Sequence, residues 1–205
     1  MTDGIIFDMD GTLWDSREGV CLAWNEVFKK NGLHKTIDVS ELSGYMGMPM
    51  DEIAARLFPD KAYEDIREIY EECLNYENEY LRLHGGILYP ELGKTLKALS
   101  EKYGLFIVSN CQKGYIEAFL EAHELKAFFT DYESYGNTLL QKDGNIRLVV
   151  ERNGLKSPVY VGDIQADYAS AAKAGVDFVH AAYGFGRVEA DVPHIQSFNE
   201  LLELF

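Results

Sequence analysis

The chain has 205 residues, 47% of them hydrophobic and 26% charged, and a formal net charge of -15. That balance excludes a general nucleic-acid binder, which needs a basic face, but not a small anionic substrate, whose charge a divalent cation and a lysine can offset locally. No run of about 18 apolar residues exists, so no membrane-spanning helix is expected.

Cys21, Cys73 and Cys111 are odd in number and widely spaced, which fits a reducing, cytoplasmic setting better than a disulfide framework. Without a CxxC or HxxxH pair, a zinc site is not expected. The first residues, with Asp3, Asp8 and Asp10 among them, do not read as a signal peptide.

In chain order, "IIFD" (Ile5 to Asp8) predicts a short strand buried on both faces, as parallel strands are. Asp10 follows it, and Gly11 comes at once. Two carboxylates so close at a strand end cost free energy through repulsion and partial burial, so the pair calls for a counter-charge. Ser16 is expected to cap a helix whose Val20, Ala23, Trp24, Val27 and Phe28 share one face, with Gly32 beyond its end. Ile66, Ile69, Tyr70, Cys73, Leu74, Tyr80 and Leu81 trace a second, longer helical stripe, and "HGG" (His84 to Gly86) turns the chain back. Between them "SGYMGMPMDE" (Ser43 to Glu52) holds turn-formers and three methionines, an adaptable apolar surface. It is expected to project over the crevice described below, with Tyr45 and Met48 reaching substrate.

The rest alternates. Leu92, Leu96 and Leu99 predict a helix before the strand "LFIVSN" (Leu105 to Asn110). Ile116, Phe119 and Leu120 predict another before "FFTDY" (Phe128 to Tyr132). Ile146, Val149 and Val150 precede "PVYVGD" (Pro158 to Asp163), and Ala169, Ala172 and Lys173 precede "VDFVHAA" (Val176 to Ala182). Strand and helix in alternation mean an α/β fold, a doubly wound parallel sheet covered on both faces. Residues 15–86 interrupt it as an all-helical insertion, leaving 1–14 and 87–205 as the core.

In such a sheet the carboxyl ends of the strands share one crevice. Asp8 and Asp10 reach it from the first strand, Ser109 and Asn110 from the second. Asp163 comes from the fourth, with Asp167 a helical turn later. Lys142 follows the third strand and opens a helix, which places it on that edge. Lys156 precedes a strand and lies at the opposite edge, and Lys113 is expected to face solvent. Asp8 and Asp163, on oxygen-rich loops, suit Mg²⁺, which would supply the missing counter-charge and neutralise a transferring phosphoryl group.

The motifs "DMDGT", "VSN", Lys142 and "GDIQAD" resemble those of the haloacid dehalogenase superfamily over nearly the whole chain. The helical insertion is similar to the small cap of its phosphoglycolate phosphatase and β-phosphoglucomutase branch. Asp143, where the family usually has proline, follows Lys142. The resemblance implies a Rossmann-like core and a Mg²⁺-dependent phosphatase. Asp8 would be the nucleophile, forming an aspartyl-phosphate. Asp10 would protonate the leaving oxygen, activate water and lend its backbone carbonyl to the cation. Ser109, Asn110 and Lys142 would hold phosphate, Asp8 and Asp163 would ligate Mg²⁺, and Asp167 would act behind them.

A dehalogenase would need neither Asp10 nor a metal. A phosphomutase, or a non-catalytic or signalling protein on the same fold, is the alternative. The implied substrate is a small phosphorylated metabolite, either phosphoglycolate or a sugar phosphate, handled by a monomer without nucleic-acid or membrane partners.

Overall fold

The computed structural model describes residues 2–205. Strand β1 (Gly4–Phe7) leads through β2 (Trp14–Asp15) into four helices, α1 (Arg17–Lys30), α2 (Val39–Ser43), α3 (Met50–Leu57) and α4 (Tyr63–His84). The chain returns by β3 (Ile87–Leu88), α5 (Leu92–Ser100), β4 (Gly104–Ser109), α6 (Tyr115–Ala122), β5 (Asp131–Ser134), α7 (Tyr135–Thr138) and α8 (Lys142–Asn153). It ends with β6 (Pro158–Gly162), α9 (Gln165–Ala174), β7 (Asp177–Ala181), β8 (His194–Ile195) and α10 (Leu201–Leu204).

Six strands form a parallel sheet in the order β5-β4-β1-β6-β7-β8. Successive side chains alternate between its faces, and both faces are covered. Ile5 and Phe7 pack into one apolar cluster with Leu105, Ile107 and Val161, while Ile6 packs into another with Phe106, Val108 and Tyr160. That is why these strands read as unbroken apolar runs rather than as alternating ones. The chain leaves β1 toward β4 and β5, then jumps back to β6 on the other side of β1. The crevice therefore opens between the carboxyl ends of β1 and β6.

Helices α1 to α4 make a cap over that crevice. Trp24 of α1 meets Tyr70 of α4 edge to face, with centroids 6.0 Å apart, and Phe28 meets Phe58 at 5.9 Å. Such pairs stabilise by about 1 kcal/mol beyond the area they bury. Where the chain enters and leaves the cap, Trp14 pairs with Leu88 and Asp15 with Ile87 in a two-stranded antiparallel ribbon. Among the described residues no helix is long and apolar enough to cross a membrane.

Two local expectations need correction. The strand expected over Phe128–Tyr132 begins three residues later, because Lys126–Phe128 forms a 3₁₀ turn and Phe128 and Phe129 pack sideways against the core. On this edge strand the buried residues are Glu133 and Ser134, and Arg152 binds Glu133 at 3.0 Å. A polar strand of that kind has no apolar signal. Ser16 does stand at the start of α1, but its side chain caps nothing; its hydroxyl is directed at Asp10 instead.

Candidate active site

Asp8 directly follows β1, and its N–H donates to Val161 O at 2.9 Å, so the register with β6 fixes its place. The chain then turns tightly, with the N–H groups of Thr12, Leu13 and Trp14 all donating to Met9 O and Gly11 at a φ of 86°. The left-handed φ favours glycine. Close approach does so too, since a Cβ on Gly11 would lie 2.2 Å from Asp163 Oδ2.

Lys142 is the first residue of α8 and only 3% exposed. Its Nζ donates to Asp8 Oδ1 at 2.8 Å and to Asp167 Oδ1 at 2.5 Å. The Oδ2 of Asp167 accepts the N–H groups of Asp163 (3.1 Å) and Ile164 (3.2 Å), which caps α9 and locks the loop after β6. Asp163 Oδ2 accepts the N–H of Phe185 at 2.7 Å. The Thr12 hydroxyl reaches its Oδ1 at a loose 3.4 Å.

Carboxylate oxygens of Asp8, Asp163 and Asp167 lie within 4.8 Å of one another. Three carboxylates and one ammonium leave a formal excess of two negative charges in a buried place. Burial first, then Asp167, push Asp8 up to about 7. The same two causes push Asp163 up to about 8. Burial opposes the charge on Lys142, but Asp167 and Asp8 more than offset it and hold its pKa well above the ordinary lysine value. A divalent cation fits both the charge excess and the oxygen-only donor set. Asp167 has its oxygens committed to Lys142 and to backbone, whereas among the described residues Asp8 Oδ2 accepts no hydrogen bond and Asp163 Oδ1 accepts only the loose one from Thr12.

Asp10 is kept apart from this cluster. Its Oδ1 accepts the hydroxyls of Ser16 (2.6 Å) and Tyr115 (2.8 Å), which also bond to each other at 2.8 Å. Burial raises its pKa to about 6, against the lowering effect of the two hydroxyls. Two acids in unlike settings can divide the work of nucleophile and proton carrier.

Ser109 ends β4, 5% exposed, on the rim of the same cavity as Asp8 and Asp10. Asn110 follows; its Nδ2 donates to Gly47 O of the cap at 2.9 Å, leaving its buried Oδ1 without a partner. The cavity holds a free volume of ≈ 40 Å³, room for a few waters. Met46, Gly47 and Met48 form part of its roof, so the methionine loop does project over the crevice. Tyr45 does not follow them. Its hydroxyl donates to Glu41 within the cap.

The structure thus brings Asp8, Asp10, Ser109, Asn110, Lys142, Asp163 and Asp167 to one crevice. Lys156 lies beside Asp3 at the far edge. Sequence reasoning passed over Tyr115, Thr12, Gly184 and Glu77. Gly184, like Gly11, presses on Asp163, where a Cβ would come within 2.3 Å. Glu77 carried a signal, because it falls on the stripe Ile66, Tyr70, Cys73, Glu77, Leu81, where a charge is out of place.

Curated relatives include a phosphoglycolate phosphatase of Aquifex aeolicus, 27% identical over 92% of this chain and 89% of its own. A 5'-nucleotidase of Pseudomonas aeruginosa is 28% identical over 89% of this chain and 83% of its own. Among solved structures, CbbY from Rhodobacter sphaeroides in complex with phosphate superposes with a TM-score of 0.84 at 23% identity, covering 98% of this chain and 96% of that one. At that identity the likeness speaks for the fold. The family model for haloacid dehalogenase-like hydrolases matches residues 5–181, and the chain belongs to that family.

Proposed function

We propose that the protein is a Mg²⁺-dependent phosphatase acting on a small phosphorylated metabolite, of the phosphoglycolate or sugar-phosphate type, through an aspartyl-phosphate on Asp8. The observation that carries this reading is the pairing of a lysine-clamped acid cluster with a second acid held on two hydroxyls.

Lys142 occupies Asp8 Oδ1, so Oδ2 is the attacking oxygen. It bonds to phosphorus as the ester P–O bond breaks, and Asp10 gives its proton to the departing oxygen. Asp10 then takes a proton from water, whose oxygen attacks phosphorus and frees Asp8 and inorganic phosphate. Ser109, the backbone N–H of Asn110 and Lys142 hold the phosphoryl oxygens. Asp8, Asp163 and the carbonyl of Asp10 would hold Mg²⁺, whose charge neutralises that group. Asp167 orients Lys142 and the loop that carries Asp163.

The test is phosphate release from a metabolite panel with and without Mg²⁺, beside the Asp8→Asn variant. Release should need the cation and vanish in the variant while its circular dichroism stays native. Near-normal release by Asp8→Asn would refute the mechanism, and isomerised product without free phosphate would mark a mutase.

A further inference from the structure

Glu77 has no part in the chemistry above, yet it is buried at 4% exposure in the wall of the same cavity as Asp8 and Asp10. Its Oε2 accepts Trp24 Nε1 at 2.5 Å, and its Oε1 accepts Gln112 Nε2 at 3.0 Å. Gln112 also donates to Asn78 Oδ1 at 3.1 Å, which fixes the amide. Both partners of Glu77 are neutral. Among the described residues no lysine, arginine or histidine lines the cavity. Lys142 bonds Asp8 and Asp167 and, in the reaction proposed above, serves the phosphoryl group rather than the leaving group. Arg17 of the cap lies outside that wall, tied to Asp15 and Ser43 and stacked on Phe185.

We infer that Glu77, with the Asn110 carbonyl oxygen, forms a leaving-group subsite that selects phosphate esters of uncharged, hydroxyl-bearing alcohols and rejects esters whose alcohol carries a carboxylate. The inference rests on the phosphatase reading and narrows its substrate class from two kinds to one. It excludes phosphoglycolate as the preferred substrate, in contrast to the names of several relatives.

Three features argue for it. A carboxylate on the leaving group would join three carboxyl groups already in the wall with no cation to face, a like-charge contact that a dry site magnifies. Asn110 Oδ1 is a buried acceptor without a donor. A hydroxyl can satisfy it and a carboxylate cannot, because a carboxylate only accepts. Finally, burial pushes Glu77 up to about 8. It therefore meets a hydroxyl either as donor or as acceptor, and in neither form supplies the positive charge a carboxylate needs. The remaining wall, with Trp24, Leu42, Met48 and Ile53 in it, offers apolar surface to the carbon skeleton.

The experiment compares kcat/KM for phosphoglycolate with that for glycerol 3-phosphate, each relative to p-nitrophenyl phosphate, with Mg²⁺ present. Wild-type protein should favour the uncharged alcohol by on the order of tenfold to a hundredfold. Glu77→Gln removes the acid and keeps its shape, and should shrink that ratio about tenfold. Met48→Lys, which sets a cation in the roof without touching Glu77, should shrink it as well and guards against a Glu77 variant that does not fold. A wild-type preference for phosphoglycolate, or a ratio that neither variant moves, overturns the inference while leaving the phosphatase standing. Failure to cleave even the aryl phosphate with Mg²⁺ would overturn the phosphatase reading instead.

Discussion

Replacing Lys142 by Met removes one charge and little volume, and its cost can be worked from two contacts. The ammonium is 3% exposed and touches Asp8 and Asp167. Breaking a buried pair by deleting one partner costs about 3–5 kcal/mol, because a charge is left uncompensated. Folded Asp8 already sits at about 7 in the native protein, against an ordinary aspartate near 4; without the ammonium it goes higher. A carboxyl raised in the folded state binds its proton more tightly there, so stability falls as pH rises through the gap. Below about pH 7 the folded native protein and the variant both protonate Asp8, and the variant's deficit is the smaller, Asp167-linked part. Above it only the native protein can ionise Asp8 against a cation, so the deficit grows. Urea unfolding followed by circular dichroism should therefore show a larger loss at about pH 9 than at about pH 6. A deficit that is flat across that range, or under about 1 kcal/mol at its upper end, would refute the buried clamp. Phosphate release should fall on the order of a hundredfold to a thousandfold in Lys142→Met, with Lys113→Met and Lys156→Met near native. A sensitive Lys113 would move the phosphate-binding role to that residue.

Two further outcomes follow from the same geometry. Asp10→Asn removes the proton carrier, and single-turnover formation of the aspartyl-phosphate should drop mainly for an alkyl ester, because an aryl oxide leaves without a proton; equal losses would contradict the role. Met48→Ala should reorder preferences among natural substrates and leave a small aryl phosphate nearly untouched. Tyr45→Phe, which loses only a contact with Glu41, should change neither; a uniform loss across substrates with a lowered Tm in Met48→Ala would make the loop structural.

The sheet was legible because parallel strands bury both faces, so Ile5–Phe7, Leu105–Val108 and Val159–Val161 announce themselves as apolar runs. β5 was expected three residues too early because an edge strand can bury Glu133 and Ser134, with Arg152 of α8 meeting Glu133, and so carries no apolar signal there. The acids and Lys142 were readable from the strand ends they follow, since topology alone brings strand ends together. Tyr115 and Ser16 were not, because their roles depend on side chains meeting across 99 residues, a relation no local pattern carries. Ser16 in particular looked like a helix cap, and the helix start does sit there; only the hydroxyl's choice of partner differs.

The free space of ≈ 40 Å³ has a kinetic meaning. A phosphorylated metabolite is larger than that space, so under the reaction proposed above its binding requires the cap to shift relative to the core. The seam that parts is polar where it crosses the site. Asn110 meets Gly47, Gln112 meets Glu77 and Asn78, and Asn78 meets Lys113 O at 2.9 Å. Water can replace each of these bonds as the seam opens, so parting costs about 1 kcal/mol or less apiece, far below the cost of exposing an apolar face of equal area. The ribbon of Trp14–Asp15 and Ile87–Leu88 is the tether about which such a swing would turn.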